Sequence, residues 1–282
     1  MPHTTLVSTD TLAANLGAWT VIDCQFDLQR EAQGHLDYRS RHIPGAVYAS
    51  VAHDMAGVKT GTTGRHPLPT LDAFAGTVRR LGISPGTQVV VYDQDSGLFA
   101  SRLWWMLRAS GHAAVAMLDG GLARWVADGR PTRQGEDANA PGTFVPRAYP
   151  GLLVPVETVA AALGTSTHLL VDARGPDRFE GHSETIDRAA GHIPGAINHY
   201  FRSNLAEDGT MLPPERLREM YQALIGGRPA SDVVMYCGSG VSACHNLLAM
   251  ERAGLPGSRL FVGSWSEWSS DPSRPIATGP AR

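Results

Sequence analysis

One strand–turn–helix pattern decides how this sequence is interpreted: Val233-Val-Met-Tyr-Cys237-Gly-Ser-Gly-Val-Ser-Ala-Cys-His-Asn-Leu-Leu-Ala-Met250. Residues 233–236 are apolar, β-branched or aromatic, as in a buried strand, and the residues after 241 follow a helical pattern. Gly238 and Gly240 allow a sharp turn between this strand and this helix. Such a turn points backbone N–H groups and a helix N-terminus at its centre, which attracts anions and favours a thiolate. Cys237 is therefore predicted to be a nucleophile in an anion-binding loop, although composition alone would favour a buried core cysteine.

Length and composition limit the classes of protein that need to be considered. The 282 residues suffice for two domains of roughly 140 residues each. A net charge of −3 gives no sign of a nucleic-acid surface, and no apolar run approaches the ~20 residues of a membrane span. The N-terminus lacks a signal-peptide pattern, and the three cysteines have no metal-ligand or disulfide spacing. We therefore expect a cytoplasmic protein without a metal, in a compartment where a free thiolate persists.

The sequence contains an internal repeat. His-Ile-Pro-Gly-Ala occurs at 42–46 and again at 192–196, and three further blocks recur in the same order with a nearly constant offset. These paired blocks are 21–23 with 169–172, 89–92 with 233–236, and 118–125 with 261–268. Four ordered matches predict a duplicated domain of roughly 140 residues.

Within each repeat, short β-branched strands alternate with longer helical segments, which predicts an α/β fold with two tandem domains, each a mainly parallel sheet flanked by helices. The predicted helices are 71–81, 101–110, 214–224 and 243–253. We expect an N-terminal domain over 1–127, a linker over 128–151, and a catalytic domain over 152–282. Gly57–Pro69 is predicted to be a long surface loop. Active residues of such sheets lie at the carboxyl ends of strands, where Cys237 falls.

The first repeat offers an internal comparison. Asp93 occupies the position that corresponds to Cys237, and its loop carries a second carboxylate, Asp95. Two carboxylates would repel the anion that the second loop attracts. The first domain is therefore predicted to keep the fold without the nucleophile.

These motifs resemble the two-domain rhodanese superfamily, over essentially the whole chain. The loop Cys237-Gly-Ser-Gly-Val241 is similar to the mercaptopyruvate branch, whereas the thiosulfate branch tends to carry basic residues after the cysteine. Ser242 stands where the family usually has Thr, and keeps the hydroxyl. The resemblance implies sulfur transfer from 3-mercaptopyruvate through a Cys237 persulfide to a thiol, thioredoxin or cyanide, with release of pyruvate and without a cofactor.

The resemblance also implies roles for other residues. Arg178 corresponds to the family's carboxylate-binding arginine, and Arg188 to a second one, although either could form only a surface ion pair. The loop residues Gly238, Ser239, Gly240, Val241 and Ser242 would bind the donor and stabilise the thiolate through their N–H groups and hydroxyls. Apart from the resemblance, the residues themselves suggest three accessory candidates: His42, with Glu31 or Asp37 as its carboxylate, and the aromatic residues Phe26 and Phe99. A structural function is the alternative for His42, because its motif occurs in both repeats, and core packing is the alternative for the two aromatic residues.

The sequence is less compatible with three other functions. A phosphatase of the Cys-x5-Arg type would require arginine at position 243, where the chain has Ala243. A non-catalytic rhodanese-like sensing module would typically lack Cys237. Within the enzyme class, thiosulfate is the alternative sulfur donor, and the neutral Gly238-Ser239 pair favours mercaptopyruvate over this dianion.

Overall fold

The computed structural model describes residues 1–149 and 151–280. These residues form two compact units. Unit 1 comprises Met1–Gly57, Leu68–Tyr149 and Glu207–Met211, and the described part of unit 2 comprises Val58–Pro67, 151–206 and 212–280. The segment Val58–Pro67 therefore belongs to the first repeat in sequence and to unit 2 in structure. The domain bounds 1–127, 128–151 and 152–282 stay a prediction.

Unit 1 contains a parallel sheet with helices around it. Its strands are β1 (Leu6–Val7), β2 (Thr20–Asp23), β3 (Val47–Tyr48), β4 (Val89–Tyr92) and β5 (Val115–Leu118), and its helices are α1 (Thr9–Ala13), α2 (Gln33–Ser40), α3 (Leu71–Arg80), α4 (Ala100–Ala109) and α5 (Gly121–Ala127). The strand order is β1-β5-β4-β2-β3, with every pairing parallel. All four residues of β4 are fully buried, as expected for a central strand covered on both faces.

Unit 2 repeats this plan. Its elements are α6 (Val156–Ala161), β6 (Leu169–Asp172), α7 (Pro176–Glu180), β7 (Ile197–Asn198), α8 (Pro214–Ile225), β8 (Val233–Tyr236), α9 (Ser242–Arg252), β9 (Arg259–Leu260) and α10 (Ser264–Trp268). The sheet order is β7-β6-β8-β9, again all parallel. The core packs aromatic residues of α10, Trp265 and Trp268, with apolar residues of β6 and β8. The prediction of two α/β domains with mainly parallel sheets is confirmed.

The repeated His-Ile-Pro-Gly-Ala motif has a structural function in both units. The hydroxyl oxygen of Tyr92, at the end of β4, accepts a hydrogen bond from the Ile43 N–H at 3.0 Å. The equivalent Tyr236 accepts from the Ile193 N–H at 3.4 Å. The motif therefore ties a turn to the end of each central strand, which explains why it is present in both repeats.

The four predicted helices correspond to α3, α4, α8 and α9, and each predicted end lies within one residue of the observed one. For example, α9 begins one residue before the predicted start at Ala243 and ends one residue before the predicted end at Ala253. Among the described residues, no helix is long and apolar enough to cross a membrane.

Candidate active site

Cys237 directly follows β8 and directly precedes the turn into α9. Its thiol is free and 2% exposed. The Cys237 N–H donates to the Ser264 hydroxyl at 3.1 Å, and its carbonyl accepts from the Trp265 N–H at 2.9 Å. Ser264 adopts a φ of 55°, in the left-handed region that costs a non-glycine residue about 1–2 kcal/mol. The beginning of α10 thus fixes the backbone of Cys237.

The loop after Cys237 presents backbone donors without acceptors. Gly240 has a φ of 75°, which an L-residue would rarely adopt. Throughout the described part of the chain, the N–H groups of Ser239, Val241 and Ser242 have no acceptor. They lie at the N-terminus of α9, an eleven-residue helix whose N-cap residue makes no side-chain hydrogen bond. Unsatisfied N–H groups at a helix N-terminus form a site for an anion.

The equivalent loop of unit 1 is filled by its own carboxylate. The two oxygens of Asp93 accept backbone N–H bonds from Asp95, Gly97, Phe99 and Ala100, at 2.7–3.2 Å. Burial raises the pKa of Asp93, although these bonds oppose the increase. The sequence suggested that carboxylates would repel an anion from this loop. The structure adds that the Asp93 carboxylate itself accepts hydrogen bonds from the N–H groups of this loop and caps the beginning of α4.

Arg178, the predicted donor-binding arginine, lies on α7 and is held by two carboxylates. Its Nε and Nη2 contact Glu184 at 2.8–3.1 Å, and Nη2 also contacts Asp187 at 3.1 Å. Both carboxylates are buried, with Glu184 2% and Asp187 3% exposed, while Arg178 is 26% exposed. Its Nη1 has no acceptor within residues 1–149 and 151–280. This nitrogen is therefore available to an anionic substrate.

Two residues that the sequence analysis missed also lie at this site. Val58–Pro67 was predicted to be part of a surface loop, but His66 is buried and its Nδ1 lies 2.8 Å from the Ser239 hydroxyl oxygen. Arg65 forms an ion pair with Asp187, and its N–H donates to the Ser266 hydroxyl at 3.0 Å. The loop prediction is right about the absence of regular structure and about the exposure of residues 58–62, and wrong about the exposure of Gly64 and His66. No local pattern marks these contacts, which span more than 120 residues of sequence.

The remaining predicted residues lie in other surroundings. Arg188 is exposed, and its Nη1 donates to the Ser270 carbonyl at 3.0 Å. In unit 1, the Phe26 and Phe99 rings pack edge to face with centroids 5.3 Å apart. His42 is buried against the Tyr38 ring.

The hydrogen bonds of His42 differ from those considered for it. Nδ1 lies 2.8 Å from the Tyr38 carbonyl, and Nε2 lies 3.2 Å from Asp137, so its carboxylate partner is neither Glu31 nor Asp37. His192 stacks on Phe179 and bonds the Phe179 carbonyl in the same way. The shared geometry favours a structural function for both histidines. No group of three or more potential metal ligands occurs among the described residues.

Fold and site together define a class of protein. Both repeats match the rhodanese-like domain family, over residues 8–128 and 155–271. The chain belongs to this family, which confirms the resemblance found in the sequence.

Individual relatives give a finer comparison. The chain is 46% identical to a Pseudomonas aeruginosa protein named probable 3-mercaptopyruvate sulfurtransferase, with 99% of this chain and 100% of the relative covered. It is 40% identical to a Mycobacterium tuberculosis protein provisionally named thiosulfate sulfurtransferase SseB, with 93% and 92% covered. Among solved structures, it resembles SseA from Escherichia coli, described as a 3-mercaptopyruvate sulfotransferase, with a TM-score of 0.80, 31% identity, and 94% and 100% covered.

Proposed function

We propose that the protein is a 3-mercaptopyruvate sulfurtransferase in which Cys237 carries the transferred sulfur. The observation that carries this proposal is the position of Cys237 beside the N–H groups of Ser239, Val241 and Ser242, which have no acceptor among the described residues, in contrast to the filled loop of unit 1. The nearby Arg178 supplies a cation with one unoccupied nitrogen. The relatives named for mercaptopyruvate support the same donor.

In the first half-reaction, the Cys237 thiolate attacks the sulfur of 3-mercaptopyruvate. An S–S bond forms, the C–S bond breaks, and the electron pair of the C–S bond leaves with the carbon as the enolate of pyruvate. The proton of the substrate thiol is transferred to this carbon, so that the products are a Cys237 persulfide anion and pyruvate. The unoccupied N–H groups of Ser239, Val241 and Ser242 stabilise the negative charge on sulfur.

We assign the proton transfer to Ser239 and His66. The hydroxyl of Ser239 lies two residues after the nucleophile and 2.8 Å from His66 Nδ1. A hydroxyl bonded to an imidazole can accept one proton while it passes on another, which suits transfer from the substrate thiol to the enolate carbon. This pair would act in the proton transfer, whereas Arg178 would bind the substrate carboxylate.

In the second half-reaction, a thiophilic acceptor removes the outer sulfur and restores the Cys237 thiolate. With a thiol, the products are a persulfide of that thiol and the free enzyme, and with cyanide the product is thiocyanate. We propose thioredoxin or a small cellular thiol as the natural acceptor. We also place the reaction in the cytoplasm, where reducing conditions maintain the free thiol that the cycle requires.

Thiosulfate is the second candidate donor, favoured by the relative from Mycobacterium tuberculosis and by the two arginines near the loop. Attack on its outer sulfur would give the same persulfide and release sulfite. A side-by-side steady-state assay with both donors and cyanide decides between them. A higher kcat/KM for 3-mercaptopyruvate supports the first proposal, and a higher value for thiosulfate replaces it with the second.

Cys237→Ser tests the nucleophile with either donor. We expect loss of sulfur transfer, and loss of the mass increase of one sulfur atom that the wild type shows after incubation with donor alone. Cys244→Ser is the matched control, because Cys244 is a buried cysteine on α9 whose thiol donates to the Gly240 carbonyl. Turnover near the wild-type rate in Cys237→Ser would exclude the persulfide mechanism.

A further inference from the structure

Two guanidinium groups converge on Gly238, the residue after the nucleophile. A Cβ atom added at Gly238 would lie 2.8 Å from Nη2 of Arg65 and 3.5 Å from Nη1 of Arg178. Neither nitrogen has an acceptor among the residues that the structure describes. Because Gly238 has no side chain, the Arg65 guanidinium can approach the loop backbone beside Cys237 this closely.

Asp187 holds the two arginines in this arrangement. One of its oxygens binds Nη1 of Arg65, and the other lies 3.1 Å from Nη2 of Arg178. Asp187 is 3% exposed, so water competes little for either bond. Each guanidinium is therefore anchored by one edge, with another nitrogen directed at Gly238.

The mutual repulsion of the two guanidinium groups favours an added anion near Gly238. Arg65 and Arg178 repel each other, and burial together with Arg178 lowers the pKa of Arg65. Ion pairs connect three carboxylates with three guanidinium groups, so that the cluster has no net charge. In order, the series is Asp172, Arg174, Glu184, Arg178, Asp187 and Arg65. Without Arg65, the cluster would carry a net negative charge next to the thiolate and to any anionic donor.

We propose that Arg65 is a donor-specificity residue, which forms with Arg178 a paired-arginine site for the anionic group of the sulfur donor. This inference rests on the proposed function, and it assigns to Arg65 the place of second donor-binding arginine that the sequence suggested for Arg188. Because an electrostatic interaction scales with the charge of the ligand, Arg65 favours small dianions over monoanions. It supplies the positive charge that the neutral Gly238-Ser239 loop lacks, so that the protein binds thiosulfate as well as 3-mercaptopyruvate.

The test measures anion binding without requiring turnover. Cys237 is alkylated with iodoacetamide, the modified cysteine is quantified by mass spectrometry, and protection is titrated with sulfate as the dianion and pyruvate as the monoanion. Loss of the Arg65 charge removes about twice as much interaction energy from the dianion sulfate as from the monoanion pyruvate, which squares the fold-change in affinity. If Arg65→Gln weakens pyruvate protection by about threefold, it should therefore weaken sulfate protection by about tenfold. Arg65→Lys should retain most of the preference for sulfate.

Two further variants complete the design. Arg216→Gln removes an exposed arginine of unit 2 that pairs with Glu219 on α8, and should change neither titration. Gly238→Ala, which forces Arg65 away from the loop without removing it, should reproduce the selective loss of sulfate protection if Arg65→Gln does not fold.

The proposal is overturned by equal losses for the two anions, by no loss in Arg65→Gln, or by a wild type that neither anion protects. The proposed function is judged separately, by wild-type turnover of 3-mercaptopyruvate and its loss in Cys237→Ser. A protein that transfers sulfur but fails the protection test would keep the proposed function and exclude the role of Arg65.

Discussion

Asp93→Ala provides a direct test of the contrast between the two strand-end loops. The substitution removes an acceptor that serves four backbone N–H groups, at Asp95, Gly97, Phe99 and Ala100. A hydrogen bond to a charged group contributes about 1.5–3 kcal/mol, so the gross loss would be about 6–12 kcal/mol. Burial of the carboxylate, which raises the pKa of Asp93, offsets much of this. We therefore expect a net loss of about 3–4 kcal/mol.

Hydrogen exchange measured by mass spectrometry can locate this loss. A decrease of about 3 kcal/mol in local stability corresponds to roughly 100-fold faster exchange of the amides in α4. Asp93→Asn keeps one acceptor oxygen and should show an intermediate effect. Peptides from α9, at the equivalent place in unit 2, serve as the internal reference and should be unchanged in both variants.

The matched substitution in unit 2 is Cys237→Ala. The N–H groups of Ser239, Val241 and Ser242 already lack acceptors in the described structure, so the loss of the thiol should change exchange in α9 by less than about threefold. Unchanged exchange of α4 in Asp93→Ala would refute the idea that Asp93 fills an anion site. Equally large effects of the two substitutions would refute the difference between a filled loop and an open one.

Three further predictions concern other buried groups. Burial raises the pKa of Asp23 from 3.8 to about 6, so the native state binds its proton more tightly than the unfolded state does. The free energy of unfolding should therefore fall by about 3 kcal/mol as pH rises from about 3 to about 7. Urea titrations should show this decrease in the wild type and not in Asp23→Asn, and parallel curves would contradict it. Glu184→Gln should lower stability by about 3 kcal/mol, since it leaves the buried ends of Arg174 and Arg178 without a full counter-charge, and should raise the KM of the donor in steady-state assays. An unchanged KM would separate Arg178 from donor binding. His66→Gln should lower kcat by about 100-fold with little change in KM, and a mainly raised KM would instead assign His66 to binding.

The fold was accessible from sequence because its signals are local. The fully buried strand Val233–Tyr236 is a continuous apolar run, and it has the predicted bounds in the structure. The repeat provided a second, independent sign of each element, as in the pairs β2 with β6 and β4 with β8. The position of Cys237 between a strand and a helix could be predicted for the same reason, since its strand, turn and helix are adjacent in sequence.

The part of the candidate site that was not predicted from the sequence depends on contacts that no local sequence pattern marks. Arg65 and His66 lie in a segment without regular structure, and their partners Asp187 and Ser239 follow 122 and 173 residues later. Neither propensity nor periodicity encodes such a pairing. The charge argument for donor choice was incomplete for this reason: the residues beside Cys237 are neutral, but Arg65 brings a cation to Gly238 from the other repeat.

The presence of Cys237 in the second repeat alone therefore does not describe how the two repeats differ. The first repeat keeps the loop geometry and satisfies its N–H groups with the carboxylate of Asp93, whereas in unit 2 the N–H groups of Ser239, Val241 and Ser242 have no acceptor among the described residues. The first repeat also contributes Val58–Pro67 to unit 2, and with it an acid–base candidate and a cation. Because of this exchanged segment, a boundary drawn at the linker separates Cys237 from His66 and Arg65. With the roles proposed for Arg65 and His66, the reaction draws on residues of both repeats, and substitutions in this loop of the first repeat should change the substrate preference of the second without altering its fold.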